Sequence, residues 1–113
     1  MSKSLENLMA AFAGESQAYQ KYSAFAVQAD KEGFKQVAKL FRAAAAAEKV
    51  HAGNHLRAAE KVLSTKENLR EAIGGETYEF EQMYPPMIED AKAEGNKAAE
   101  RSFTMANTVE KTH

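Results

Sequence analysis

The most constraining feature of this chain is an internal repeat, in which short motifs of the first half return in the second half. The repeated motifs lie 61 or 62 positions apart. They pair Leu5-Glu6-Asn7-Leu8 with Lys66-Glu67-Asn68-Leu69, Gly14-Glu15-Ser16 with Gly75-Glu76-Thr77, Glu32-Gly33 with Glu94-Gly95, and Glu48-Lys49-Val50-His51 with Glu110-Lys111-Thr112-His113. Repeated sequences of this kind fold into similar structural units. Each half is long enough for two helices, so the repeat predicts two similar helix pairs.

Four helices are predicted from the spacing of the apolar residues, which recur at alternating steps of three and four positions. The composition also favours helix, because Ala, Glu, Lys and Gln are plentiful while there are only 6 Gly and 2 Pro. The predicted helices span about 4–30, 34–62, 66–93 and 98–113, with Ser4 and Thr65 as candidate N-caps. We therefore expect an all-α fold, an antiparallel four-helix bundle.

The length of 113 residues predicts a single domain, residues 1–113, with repeat halves at about 1–63 and 64–113. Because the halves are similar, an intramolecular bundle and a domain-swapped dimer are both open, and a homodimer is expected. The net charge of −1 gives no reason to expect nucleic acid or an anionic membrane as a partner. No apolar run approaches the ~20 residues that span a bilayer, and the N-terminal sequence is not a signal peptide. A cytoplasmic protein is expected.

The third predicted helix contains an irregularity. Glu15 and Glu32 are 17 positions apart, whereas their counterparts Glu76 and Glu94 are 18 apart, so the second repeat carries one extra residue. The same helix holds Pro85-Pro86, which lack amide donors for a regular helical ladder. An inserted residue beside proline predicts a π-bulge or a kink, and such features are frequent near functional sites. The alternative is a helix broken into two pieces.

Each half also carries the residues of a metal site. A glutamate lies on the apolar stripe of its first helix, and a Glu-x-x-His motif lies on its second helix, where positions i and i+3 share a face. The residues are Glu15, Glu48 and His51 in the first half, and Glu76, Glu110 and His113 in the second. Carboxylates in an apolar core are costly unless they are neutralised. Two divalent ions would balance four of them, and this oxygen and nitrogen donor set suits iron or manganese, with zinc as a possible substitute.

Several side chains have alternative interpretations. A buried ion-pair network with Lys or Arg is the alternative to a metal site, but no Lys or Arg falls on the inner stripes except near their ends. His55 lies at i+4 from His51, and we expect it at the surface or at a helix interface rather than on a metal. The large apolar side chains on the inner stripes are expected in the core: Phe12, Phe25, Phe41, Phe80, Met83, Met87 and Met105.

Five motifs together resemble the rubrerythrin family over essentially the whole chain. They are Ala11-Phe12-Ala13-Gly14-Glu15-Ser16-Gln17-Ala18, Glu48-Lys49-x-His51, Gly75-Glu76-x-x-Glu79, Glu81-x-Met83-Tyr84-Pro85 and Glu110-x-x-His113. The resemblance implies a ferritin-like diiron protein that reduces hydrogen peroxide to water, with two iron ions per site. It assigns as ligands Glu15, Glu48, His51, Glu76, Glu79, Glu110 and His113.

The resemblance also implies roles for individual side chains. Glu48 and Glu110 would bridge the metals, and Glu79 would exchange with His51 as a ligand when the centre changes its oxidation state. Tyr22 and Tyr84 match tyrosines that hydrogen-bond to ligand carboxylates. The residues expected to act in catalysis are therefore Glu79, His51, Tyr22 and Tyr84.

The chain departs from the family pattern in its electron supply. Typical members carry a rubredoxin-like domain whose four cysteines hold one iron, whereas this chain has no cysteine. Electrons would then come from a rubredoxin-like donor in trans. In addition, Ala47 and Val109 precede the two motif glutamates, so no carboxylate stands there to orient the imidazoles, and that support must come from elsewhere.

Three functions fit these observations. The first is a diiron peroxidase that protects against oxidative stress, with hydrogen peroxide as its substrate. The second is ferritin-type iron oxidation and storage, with dioxygen as the oxidant. The third is a truncated metal-binding bundle without turnover. The fifth carboxylate, Glu79, and the Met-Tyr-Pro segment at 83–85 favour the first.

Overall fold

The computed structural model describes residues 2–112, and helices are its only regular secondary structure within that range. The elements, in chain order, are α1 (Lys3–Lys31), α2 (Lys35–Ala58), α3 (Thr65–Tyr78), a π-helical turn (Glu79–Met83), α4 (Tyr84–Glu94) and α5 (Lys97–Thr112). The predicted all-α class is therefore confirmed. The chain divides into two units, Met1–Val62 and Leu63–His113.

Unit 1 is a helical hairpin whose seam is made of alanine. The buried side chains are Ala26 and Ala29 on α1, Ala38, Ala45 and Ala52 on α2, and Ala59 directly after α2. The three on α2 are seven residues apart, so they line one face of the helix over four turns. Methyl side chains let the two backbones lie close together, and this brings residues at the edge of the seam on α1 near those on α2.

Several predicted core residues are exposed instead. Phe25 is 45% exposed, Met87 38% and Met105 63%, while Phe12 and Phe41 are only partly buried. The prediction of a buried stripe was wrong for the first three. The physical reason is that two packed helices bury only the narrow seam between them, and the buried side chains of the described residues are all alanines, including Ala91 in unit 2. The helical period shows which face is apolar but not what covers it.

Both predicted N-caps are off by one or two positions. Ser2, rather than Ser4, caps α1 by accepting a hydrogen bond from the Leu5 amide at 3.1 Å. Ser64, rather than Thr65, caps α3 in a capping box with Glu67, whose amide donates to the Ser64 hydroxyl at 3.2 Å. Each observed cap precedes the predicted residue in the chain. Its hydroxyl accepts a hydrogen bond from a free amide of the first turn, as an N-cap must.

Unit 2 contains the predicted irregularity. The backbone runs helically from α3 through the π-helical turn at Glu79–Met83 into α4, so the π-bulge interpretation is confirmed and the broken helix is not seen. The wider turn accommodates the extra residue, and Pro85-Pro86 follow at the start of α4, where missing amide donors cost least. Gly95, with a φ of 69°, then ends α4, and the Asn96 side chain caps α5.

The turn between α1 and α2 depends on Gly33, whose φ is 85°. The second helix was predicted to end at about residue 62, but α2 ends at Ala58. Glu60, two residues later, has a positive φ of 58°, which a helix cannot contain. None of the helices in the described part of the chain has the length and apolar character needed to cross a membrane.

Candidate metal centre

Unit 1 brings together three of the predicted ligands. Glu48 and His51 lie one turn apart on α2, and Glu15 reaches them from α1 across the alanine seam. Donor atoms of the three residues lie within 4.8 Å of one another. Nδ1 of His51 is 3.0 Å from Oε1 of Glu15 and 3.7 Å from Oε1 of Glu48. Two carboxylates and an imidazole therefore face one small volume at the edge of the hairpin.

His55 lies next to this group, one turn after His51. Its Nε2 is in contact with Oε2 of Glu15, so it occupies the interface between α1 and α2, one of the two places expected for it. The contact with a predicted ligand was not anticipated. The signal available in the sequence was the four-residue step from His51, which places both imidazoles on the same face of α2.

Unit 2 brings together three more predicted ligands, all of them carboxylates. Glu76 lies near the end of α3, Glu79 is the first residue of the π-helical turn, and Glu110 lies on α5. Their donor atoms also lie within 4.8 Å of one another, and each residue is partly buried. The seventh predicted ligand, His113, lies outside the described residues.

The two predicted catalytic tyrosines lie in aromatic clusters. The ring of Tyr22 packs against Phe25 and Phe41, with centroids 6.2 and 6.1 Å away, and Tyr84 packs against Phe103 at 6.1 Å. Their role toward the ligand carboxylates stays a prediction.

The donor chemistry of both groups fits divalent metal ions. Oε2 of Glu110 is buried and accepts no hydrogen bond from the described residues. Oε2 of Glu15 is buried as well, and it accepts no well-aligned hydrogen bond from them. Buried carboxylate oxygens require a donor or a cation. Carboxylates that crowd within 4.8 Å also repel one another, and a bound cation reverses the sign of that interaction. Oxygen and imidazole donors without thiolate suit iron, manganese or zinc.

A sequence profile of rubrerythrin matches residues 6–113. The chain belongs to the rubrerythrin family. Its relatives include nigerythrin from Nitratidesulfovibrio vulgaris, 40% identical over 127 residues, and rubrerythrin from Porphyromonas gingivalis, 38% identical over 125 residues. These alignments cover 100% and 99% of this chain but 63% and 62% of the relatives. The chain therefore spans less than two thirds of their length.

The structural comparison agrees with the sequence comparison. A solved structure of nigerythrin in a mixed-valence state matches with a TM-score of 0.51 and 40% identity, covering 97% of this chain and 61% of that one. Family membership and this likeness confirm the predicted resemblance and the helical, ferritin-like fold class. They identify the chain as a protein of a diiron family, in keeping with the two groups of potential ligands.

Proposed function

We propose that this chain is a diiron peroxidase domain that reduces hydrogen peroxide to water and protects against oxidative stress. The observation that carries the proposal is the pair of carboxylate groups, one in each unit, in a chain of the rubrerythrin family. The residues proposed to hold two iron ions are Glu15, Glu48, His51, Glu76, Glu79, Glu110 and His113. When bound, two ferrous ions supply the two electrons that, with two protons, convert one hydrogen peroxide into two water molecules.

The protein's own contribution begins with charge. Glu15, Glu48, Glu76 and Glu110 carry four negative charges, which two divalent ions balance, and Glu79 adds a fifth. Glu79 lies in the π-helical turn, where the backbone departs from the regular ladder, and this supports its proposed role as the ligand that exchanges with His51. Tyr22 and Tyr84 are proposed to hold ligand carboxylates through their hydroxyl groups.

The electrons are proposed to come from a separate redox protein of the rubredoxin type. The chain contains no cysteine, so it holds no cysteine-ligated iron that could pass electrons to the site. The cytoplasmic location expected from the sequence stays a prediction.

The proposal is tested by anaerobic titration with ferrous iron, followed by rapid mixing with hydrogen peroxide or dioxygen. We expect two ions per chain and faster oxidation by peroxide than by dioxygen. Glu79→Ala should slow the peroxide reaction, whereas Glu81→Ala, an exposed neighbour in the same turn, should not. Faster oxidation by dioxygen would favour ferritin-type iron oxidation instead. Iron binding without oxidation by peroxide would favour a metal-binding bundle without turnover.

We also propose that the chain is a homodimer. Phe25, Phe34 and Val37 are 45%, 57% and 44% exposed around one depression on unit 1, and Met105 on α5 is 63% exposed. Exposed apolar surface of this kind is typical of protein interfaces. Sedimentation velocity of the parent should show a dimer, and Met105→Glu should weaken it. Thr104→Glu, at an exposed neighbouring position, is the control and should leave the dimer intact. A parent that stays monomeric at high concentration would refute this part of the proposal.

A further inference from the structure

The carboxylate of Glu15 is held between two imidazoles of α2. His51 and His55 are one turn apart, so their rings lie on the same face of the helix. Nδ1 of His51 is 3.0 Å from Oε1 of Glu15, while Nε2 of His55 is in contact with Oε2. Each oxygen of this carboxylate therefore has its own ring nitrogen.

The two imidazoles are not equivalent. The His55 side chain is 31% exposed and the His51 side chain 50%, so His55 lies deeper in the hairpin. The oxygen that it contacts, Oε2 of Glu15, is buried. Oε2 accepts no well-aligned hydrogen bond from the described residues, and Nε2 of His55 is the ring nitrogen in contact with it. A buried carboxylate oxygen needs a donor, and an N–H at this nitrogen would supply one.

The geometry separates His55 from the metal ligands. Donor atoms of Glu15, Glu48 and His51 lie within 4.8 Å of one another, and His55 is not part of that group. An imidazole that bonds to Oε2 from outside the group leaves Oε1 facing His51. The sequence places no carboxylate next to the motif glutamate Glu48, so support for this half of the site has to come from another residue.

We propose that His55 is a positioning residue, whose Nε2–H donates a hydrogen bond to Oε2 of Glu15 and holds Oε1 toward the metal. This inference rests on the proposed diiron function, since Glu15 is one of the proposed ligands. The benefit is preorganisation: a carboxylate fixed before the metal arrives loses less conformational freedom on binding. Hydrogen-bond partners of metal ligands typically change metal affinity about 10- to 100-fold.

The hydrogen bond is tested in the metal-free full chain by NMR of the histidine ring nitrogens. We expect the Nε2 proton of His55 to be shifted downfield and protected from exchange with water. Glu15→Ala should remove both effects. A His55 ring proton that exchanges rapidly in the parent, or that does not respond to Glu15→Ala, would overturn the proposal.

The effect on the metal is tested by titration with cobalt(II), using the absorption bands of the bound ion. His55→Leu should weaken one of the two binding steps about 10- to 100-fold. His55→Gln keeps an N–H donor near the position of Nε2 and should retain most of the parent's affinity. Asn54→Leu, at an exposed neighbouring position, is the control and should bind like the parent. Circular dichroism checks that each variant is folded.

Two results of the cobalt(II) titration would overturn the proposal. Binding by His55→Leu with the parent's affinity would mean that the contact does not support the site. Equal weakening in His55→Gln and His55→Leu would mean that the ring nitrogen is itself a ligand. The failure of the diiron function looks different: the parent would bind no cobalt(II), while the protected His55 proton and its response to Glu15→Ala would remain.

Discussion

Repulsion among the three carboxylates of unit 2 should lower the stability of the metal-free protein, so that removing the charge of one of them should raise it. Glu76, Glu79 and Glu110 have donor atoms within 4.8 Å of one another, and Glu110 takes part in two of the three repulsive pairs. Coulomb's law at 4.8 Å gives roughly 0.9 kcal/mol per pair in water and roughly 3.5 kcal/mol at an effective dielectric constant of 20. The three residues are partly exposed, so the value in water is the better guide. Glu110→Gln should therefore raise the free energy of unfolding by about 2 kcal/mol.

With metal bound, the parent should become more stable than Glu110→Gln. An ion present at 100 times its dissociation constant stabilises the parent by about 2.7 kcal/mol, whereas Glu110→Gln has lost a ligand and gains less. The assay is urea unfolding, followed by circular dichroism, at low salt with and without cobalt(II). Added salt should narrow the difference between the metal-free proteins, because the Debye length falls from about 10 Å at 0.1 M to about 3 Å at 1 M.

The control for this experiment is Glu71→Gln, which removes one charge from an exposed position on α3. It should change the unfolding free energy by less than about 0.5 kcal/mol, equally with and without metal. A metal-free Glu110→Gln no more stable than Glu71→Gln would mean that repulsion among the three carboxylates does not lower the stability of the protein. A Glu110→Gln that stays more stable than the parent in cobalt(II) would mean that Glu110 is not a metal ligand.

Three further predictions concern the backbone and one exposed ion pair. Gly95→Ala should lower the unfolding free energy by about 1–2 kcal/mol, because residue 95 has a positive φ. Gly74→Ala, inside α3, should raise the unfolding free energy by about 0.5–1 kcal/mol. Urea unfolding measures both changes. The hydrogen bond from Arg42 at 2.9 Å holds the pKa of Asp30 below its ordinary value, so Arg42→Gln should raise that pKa in an NMR titration. The stabilisation from this pair is present above the unfolded-state pKa of Asp30 and is lost as pH falls through the lowered folded-state value. Deleting Gln82 should restore a regular helix and weaken cobalt(II) binding more than tenfold by titration, while circular dichroism stays helical.

The helices and the irregularity could be predicted from the sequence because both are local. The period of apolar residues depends on the helical repeat alone, and the change from 17 to 18 residues between matched glutamates follows from one inserted residue. The structure also brings together six of the seven predicted ligands, three within each unit, and the seventh, His113, lies outside the described residues. Glu48 and His51 share a turn of helix, and Glu15 follows because α1 and α2 form a hairpin.

The features that the sequence did not predict depend on neighbours outside the local helix. The capping serines Ser2 and Ser64 were missed because adjacent residues have the same capping chemistry, and only the backbone conformation chooses between them. Phe25 and Met105 were expected to be buried because an apolar face was taken to have a covering partner. His55 was expected at the surface or at a helix interface and lies at the interface, but its contact with Glu15 on the neighbouring helix was not predicted.

The repeat builds two similar frameworks, and one substitution makes their donor sets different. The counterpart of Glu79 in the first repeat is Ala18, so the described donors of unit 2 are three carboxylates, whereas unit 1 has two carboxylates and His51. An anionic group favours a metal ion of higher charge, because each carboxylate adds attraction that a neutral imidazole does not. The group in unit 2 should therefore prefer oxidised iron over reduced iron more strongly than the group in unit 1 does. Glu79 is the side chain on which that difference depends, and it is the first residue of the π-helical turn.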